Sequence, residues 1–110
     1  MLFCMLYMHI IICYYKGYVM FEWDDDKNRI NIDKHGIGFE TATHAFFDPD
    51  RITTIDEGHS TETETRYFCF GKVDGNIMTV RFTLRDDNIR ILGAGYWRKG
   101  RKYYEKRYNL

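Results

Sequence analysis

The tightest constraint on the fold is a turn signal between two segments that alternate apolar and polar residues. The signal is Asp74-Gly75, and the flanking segments are residues 65–73 and 76–84. Asp and Gly tolerate the positive φ angles that a two-residue hairpin turn requires. In the second segment, one face of the strand would carry Val80, Phe82 and Leu84. The stretch therefore predicts two antiparallel strands joined by a tight turn.

Two further strands are predicted next to this hairpin. Residues 51–55 precede it and are separated from it by the polar, acidic loop 56–64. Residues 89–94 follow it after a turn at 85–88, with Ile89 and Ile91 on one face. Short runs bounded by turn residues are typical of a meandering sheet. The pattern predicts four strands, mainly antiparallel, after residue 50.

The residues before the sheet have helical spacing instead. Asp24 is a good N-cap, and a helix is expected to run from it to about His35, with Gly36 as a left-handed C-cap. A second helix is predicted by Phe39, Ala42, Thr43 and Phe46, and Pro49 ends it. Residues 21–23 are expected to form only a short extended entry to the first helix.

A basic, tyrosine-rich segment ends the chain. Seven of the eighteen residues in 90–107 are Lys or Arg, although the whole chain is balanced at 16 bases and 16 acids. Residues 22–64 carry twelve acids and four bases. The last part of this segment is predicted to be a helix, so the fold class is α+β: two N-terminal helices, a four-stranded sheet and a basic C-terminal helix. Clustered Lys and Arg residues interleaved with Tyr and Trp suit binding to a polyanion whose nucleobases can stack on the aromatic rings.

The N-terminal residues and the cysteines bound the protein class. Residues 1–19 are expected to be an extension outside the native domain, and residues 20–110 the domain proper; a membrane-associating segment or an extra strand are the alternatives. The apolar stretch of residues 1–15 is shorter than a membrane span.

The chain has three cysteines, an odd number, and their spacing is not that of a metal site. This indicates reduced thiols in a cytoplasmic protein without cofactor or metal.

The run FEWDDDKNRINIDKHGIGFETATHAFFDPD, residues 21–50, resembles the opening of the BrnT family of type II toxins. The later runs TRYFCFGKV, MTVRFTL and IRILGAGYWRKGRKYYE are similar to the family's strands and its C-terminal basic helix. The resemblance implies a RelE-like fold and a ribonuclease that halts translation. It also implies a BrnA-like, DNA-binding antitoxin as partner, so that contact with DNA is only indirect. No membrane partner is expected.

One departure from the family pattern concerns the end of the last strand. Where the family has an arginine after an apolar–small–Ala run, this chain has Gly95. The role of that arginine is therefore not transferred, although Arg98 could reach the same space. Two functions stay open: an endoribonuclease toxin, or a non-catalytic RNA- or antitoxin-binding module that retains the toxin fold.

Metal-free RNA cleavage requires a base for the attacking 2′-hydroxyl, cations for the phosphate and an acid for the leaving oxygen. Arg81 and Arg90 are expected on adjacent strands, on the face opposite the apolar one, with Arg98 beyond them. The candidates for proton transfer are His35, Tyr96, Tyr103 and Tyr104, and a tyrosine among cations can have a lowered pKa. The candidates for RNA binding are Lys99, Arg101, Lys102, Tyr96 and Trp97.

Structural explanations compete with each of these assignments. The bases of the last helix are often a solvated face that suits the helix dipole. Arg81 and Arg90 could form cross-strand pairs with acids. The rings of Tyr103, Tyr104 and Trp97 are as well suited to packing the helix onto the sheet as to contacting RNA. His35 could serve only as a residue of the helix end. The structure has to decide among them.

Overall fold

The fold is α+β, as predicted. The computed structural model describes the backbone of residues 9–14 and 17–19 and all of residues 20–108. The strands are β1 His9–Tyr14, β2 Gly17–Trp23, β3 Ile52–Ile55, β4 Arg66–Val73, β5 Asn76–Arg85 and β6 Asn88–Gly95. The helices are α1 Asp25–His35, α2 Phe39–Ala42 and α3 Arg98–Arg107, with a 3₁₀ helix at Thr43–Phe47. None of these helices has the length and apolar character needed to cross a bilayer.

The strands form one sheet of order β1-β2-β6-β5-β4-β3, so the prediction of four strands is wrong. Residues 21–23 belong to β2, which pairs in parallel with β6 through Phe21↔Ile89 and Trp23↔Ile91. All other neighbouring strands are antiparallel. The parallel pair joins residues far apart in the sequence, and a crossover of this kind leaves no local signal.

The turn before β5 has the predicted geometry, and the turn after β5 lies where a turn was predicted. Asp74 and Gly75 have φ values of 51° and 84°, which are the left-handed angles that a tight hairpin needs. Asp86 and Asp87, between β5 and β6, also have positive φ values of 53° and 66°. Asp is among the residues that adopt this conformation at low cost, so both hairpins follow from the local sequence.

Helix α1 begins and ends as its sequence predicts. The Asp24 carboxylate accepts hydrogen bonds from the backbone N–H groups of Asp26 and Lys27. Gly36 has a φ of 71°, and its N–H donates a hydrogen bond to the Ile32 carbonyl of the helix. The buried side chain of Asn31 then fixes the helix to the sheet, because its amide donates to the Ala94 carbonyl at 3.0 Å and accepts from the Ala94 N–H at 3.2 Å.

The predicted second helix is only partly α-helical. One α turn, α2, is followed by the 3₁₀ helix, in which the Ala45 carbonyl accepts from the Asp48 N–H three residues later. The backbone of Ala45 lies directly against Gly71 of β4, where an added Cβ would be 2.8 Å from the Ala45 carbonyl carbon. Close packing of this segment on β4 accompanies the tighter 3₁₀ turn.

Both faces of the sheet bury apolar side chains. The larger core lies between the sheet and α1, α2 and the 3₁₀ helix, and it includes Phe21, Phe39, Met78, Val80 and Ile91. The other face, which was expected to be polar, carries a second cluster under α3 formed by Ile52, Phe70, Ile77 and Tyr104. Gly100 lets α3 approach this face, since a Cβ there would lie 2.9 Å from the Phe70 ring and closer still to the Thr79 hydroxyl.

Candidate active site

A groove lies between the start of α3 and strands β3, β4 and β5, on the face of the sheet that α3 covers. Its volume is about 570 Å³, and we refer to it as the α3 groove. The strands provide Thr54, Ile55, Phe68, Phe70, Thr79 and Arg81, and the other wall consists of Trp97, Lys99, Gly100 and Tyr103. Four of the sequence-predicted site residues therefore meet here: Arg81, Trp97, Lys99 and Tyr103.

Arg81 lines the groove from strand β5. It lies in the middle of β5, opposite Gly93 of β6, and its side chain is half-buried. The guanidinium packs over Gly93, where an added Cβ would be 2.6 Å from Nη2. A strand position and a glycine beneath the side chain restrict the directions in which this guanidinium can point.

Lys99 and Tyr103 reach the groove from α3. They are four residues apart, so they lie on the same side of the helix. The Tyr103 ring packs against Phe70 with 5.1 Å between centroids, yet 48% of the residue is exposed. The helix thus presents an ammonium group and an accessible phenol to the same space as Arg81.

Trp97 closes the end of the groove at the N-cap of α3. Its side chain makes no capping hydrogen bond, and its indole lies over Gly95, where an added Cβ would be 2.5 Å from Cε2. His35, at the end of α1, packs edge-to-face on this indole with 5.3 Å between centroids. His35 does not itself line the groove. An arginine at position 95 would require the indole to move.

Arg81 and the bases at the start of α3 lack carboxylate partners among the described residues 20–108. Within residues 20–108, the ion pairs of Arg66 and Arg85 are with Glu64, whereas no carboxylate pairs with Arg81 or with the four bases that begin α3 (Arg98, Lys99, Arg101 and Lys102). The first turn of α3 contains no acid, although the helix dipole favours one there. This concentration of positive charge suits an anionic ligand. Over the same residues, no three His, Cys, Asp or Glu side chains are grouped as a metal site.

Arg98, predicted as a catalytic cation, and the remaining predicted RNA-binding residues do not line the groove. Tyr96, Arg98 and Arg101 line a smaller cavity of about 310 Å³ together with Asn76 and Ile77. Lys102 is exposed and lines neither cavity. The basic residues of α3 are therefore divided between two neighbouring surfaces rather than focused on one point.

Arg90 is engaged within the protein. Its Nη1 donates to the Glu22 carboxylate of β2 at 2.7 Å, and only 20% of the arginine side chain is exposed. Asn88 donates to the same carboxylate at 3.0 Å. Arg90 faces Thr83 and so lies one step along the sheet from Arg81, but it does not line the groove. This arrangement favours the structural explanation for Arg90.

Tyr104 differs from its neighbour Tyr103 because its side chain lies between α3 and the sheet. It is buried, and its hydroxyl donates to the Asp48 carboxylate at 2.7 Å. Burial and this hydrogen bond raise the pKa of Tyr104, which is the opposite of the lowered pKa expected for a base. Burial and the bond to Asp48 favour an anchoring role for Tyr104 on α3, and its role in proton transfer stays a prediction.

Replacing Tyr104 with phenylalanine is expected to reduce the free energy of unfolding by about 1.5–3 kcal/mol, because one hydrogen bond to a charged group is lost while the ring stays. RNA cleavage by the folded variant should be unchanged. Urea unfolding monitored by circular dichroism, with cleavage assayed in parallel, checks both expectations. A variant of unaltered stability but reduced cleavage would contradict the anchoring role.

The aromatic and hydroxyl side chains of the groove were not predicted from the sequence. Phe68 and Phe70 lie opposite Arg81 and Thr79 in the β4–β5 register, so all four are on the same face. The hairpin turn at residues 74–75 fixes this register, and the alternation on both strands could have shown the shared face. They were missed because that face was expected to be polar.

A family model matches most of the chain. The family model described as the ribonuclease toxin BrnT of type II toxin–antitoxin systems matches residues 23–100, which include every residue of the groove except Tyr103. The chain belongs to the BrnT family. A comparison with curated proteins gives no match. Membership of the BrnT family makes this a toxin of the ribonuclease class, and it implies an RNA substrate and an antitoxin partner.

Proposed function

We propose that this BrnT-family protein is an endoribonuclease that cleaves RNA in the α3 groove without a metal ion and thereby inhibits translation. One observation carries the proposal: Arg81 and Lys99, which lack an ion-pair partner among residues 20–108, line the same groove as the exposed phenol of Tyr103. Membership of a family of ribonuclease toxins supports it.

The proposed reaction is an attack of the 2′-hydroxyl on the adjacent phosphate. A bond forms between O2′ and phosphorus while the bond from phosphorus to O5′ breaks. The proton leaves O2′ to a base, and O5′ receives a proton from an acid, so the products are a 2′,3′-cyclic phosphate and a 5′-hydroxyl. Negative charge grows on the phosphate oxygens in between, and fixed cations stabilise it.

The residues of the groove are suited to these steps. The planar guanidinium of Arg81 can donate two parallel hydrogen bonds to phosphate oxygens, and Lys99 adds a point charge. Tyr103 has the accessible hydroxyl that a proton transfer needs, with His35 as a second candidate beyond Trp97. We assign the outlying groups to the flanking phosphates of the strand: Tyr96, Arg98, Arg101 and Lys102.

Cell-free translation tests the inhibitory function. Added wild-type protein should stop synthesis of a reporter, and the Arg81→Ala variant should not. Analysis of the RNA from the same reactions should show fragments only with the wild type. Inhibition of the reporter with intact RNA would contradict cleavage as the cause.

RNA binding should depend strongly on salt concentration. Each phosphate neutralised by Lys or Arg releases counterions, so the logarithm of the binding constant should fall by about 0.7 per contact for each unit of log salt concentration. Replacing Lys102 and Arg101 with glutamine should make this slope shallower by about the same amount per residue. Fluorescence anisotropy at several salt concentrations measures the slope. A response that is flat in the wild type would identify the basic helix as solvated surface.

A BrnA-like antitoxin is proposed to cover the same basic surface, from Arg90 to Lys102. The complex would form in the cytoplasm, and the antitoxin would link it to DNA. Masking the substrate surface would silence the toxin without altering its fold. Hydrogen exchange of α3 in the complex tests this, because unchanged protection of the α3 N–H groups would contradict it.

One observation favours the second candidate function, RNA binding without cleavage. The indole of Trp97 lies over Gly95, so the space beside the end of β6 holds an apolar ring rather than an arginine. If the protein only binds RNA, RNA binding would persist and RNA cleavage would be absent even at high protein concentration. The presence or absence of cleaved RNA under conditions of saturated binding separates the two functions.

A further inference from the structure

We infer that the α3 groove binds a single nucleobase, so that the protein acts on unpaired RNA in which one base enters the groove beside the bound phosphate. The inference rests on the proposed function for the identity of the ligand as RNA. It can be tested separately, because it concerns binding and does not need the bond to be cleaved.

A row of aromatic rings forms the first part of the argument. Phe68 stacks on Phe70 with 5.7 Å between centroids and 21° between ring planes, and Phe70 packs against Tyr103 at 5.1 Å. All three rings line the groove, and Ile55 and Trp97 extend its apolar surface. A phosphate alone gains nothing from such walls, whereas a flat, apolar base face does.

The volume and charge of the groove suit a base attached to a phosphate. At about 570 Å³ the groove is in the size range of small-molecule binding sites, and it has room for more than a phosphate group. Arg81 and Lys99 line the same space, so a base among the rings would place its own phosphate within reach of cations. The combination of rings and cations is typical of sites for single-stranded nucleic acid.

The groove therefore favours single-stranded over double-stranded RNA. In a duplex, both faces of each base are covered by its neighbours, and the rings could not reach them. An unpaired base can turn out of its stack and present a face and an edge at the same time. We expect the protein to bind single strands through the base and duplexes only through the phosphates.

Binding of three non-cleavable probes tests the inference. The probes are a short 2′-O-methyl RNA strand of mixed sequence, the same strand with abasic residues, and its duplex with a complementary 2′-O-methyl strand. The methyl groups block the attacking oxygen, so affinity is measured without cleavage. The wild-type protein should bind the complete single strand roughly 5- to 150-fold more tightly than the abasic strand. Binding to the duplex should be as weak as binding to the abasic strand.

A matched pair of variants localises the effect. Phe68→Leu keeps an apolar side chain but removes a ring face of the groove, and it should lower affinity for the complete strand but not for the abasic one. Phe47→Leu is the control, since Phe47 is 39% exposed and does not line the groove. It should bind both strands as the wild type does.

The possible outcomes separate this inference from the proposed function. Equal affinity for the complete and abasic strands, or equal effects of the two leucine variants, overturns the base site even if unmodified RNA is cleaved. Absence of binding to all three probes also overturns it. Base-dependent binding without any cleavage of unmodified RNA supports the base site and overturns the ribonuclease function.

Discussion

Replacing Arg81 with alanine is expected to slow RNA cleavage by about 10²–10³-fold, the usual effect of removing one fixed donor from a developing oxyanion. Arg81 is the arginine that lines the α3 groove, and the backbone of β5 and the close contact with Gly93 hold it in place. The loss should appear in the rate of the bound complex, because the guanidinium stabilises charge that grows during the reaction. Single-turnover kinetics with saturating protein measures that rate.

Arg85→Ala is the matched control. Arg85 lies on the same strand and the same face, but its guanidinium is paired with Glu64 at 3.1 Å and does not line the groove. It should cleave RNA at close to the wild-type rate. Equal losses in the two variants would mean that general charge, and not a positioned arginine, supports the reaction. Full activity of Arg81→Ala would remove the groove from consideration as the active site.

Replacing Arg90 with alanine is expected to lower the free energy of unfolding by about 3 kcal/mol, the low end of the range for breaking a buried ion pair. The Glu22 residue is 7% exposed, so removal of the guanidinium would leave a mostly buried carboxylate with less compensation. The low end is appropriate because Asn88 still donates to that carboxylate. Urea unfolding followed by circular dichroism measures the change.

A double-mutant cycle with Glu22→Gln separates stability from catalysis. The neutral amide does not need the arginine to the same extent, so Glu22→Gln with Arg90→Ala should be more stable than Arg90→Ala alone. Loss of cleavage in the single variant should follow the loss of folded protein. If Arg90→Ala is as stable as the wild type but cleaves RNA 100-fold or more slowly, Arg90 acts at the active site, as the sequence alone suggests.

The local elements of this fold could be predicted because their signals lie within a few residues of each other. The cap at Asp24, the left-handed Gly36 and the hairpin at Asp74-Gly75 each depend on the conformational preferences of one or two residues. The pairing of β2 with β6 could not be predicted in this way, since it depends on contacts between Phe21 and Ile89, which are distant in sequence. The proposal that residues 20–110 suffice for the domain stays a prediction.

The candidate site was predictable in part. Arg81 and Tyr103 were expected from charge, alternation and residue type, and the structure brings them together. Charge patterning could not show that Arg90 is paired with Glu22, because the pair joins strands whose contact was not foreseen. Neighbouring tyrosines on one helix have different environments. The partner that distinguishes Tyr104 is Asp48, which lies 56 residues earlier in the sequence.

The most direct measurement of the central claim is cleavage of a defined RNA by the purified chain in EDTA, with analysis of the product ends. We predict fragments with 5′-hydroxyl and 2′,3′-cyclic phosphate ends from the wild type, and about 10²–10³-fold slower formation of the same ends by Arg81→Ala. Intact RNA in EDTA with the wild-type protein, or 5′-phosphate ends, would contradict metal-independent cleavage in the α3 groove.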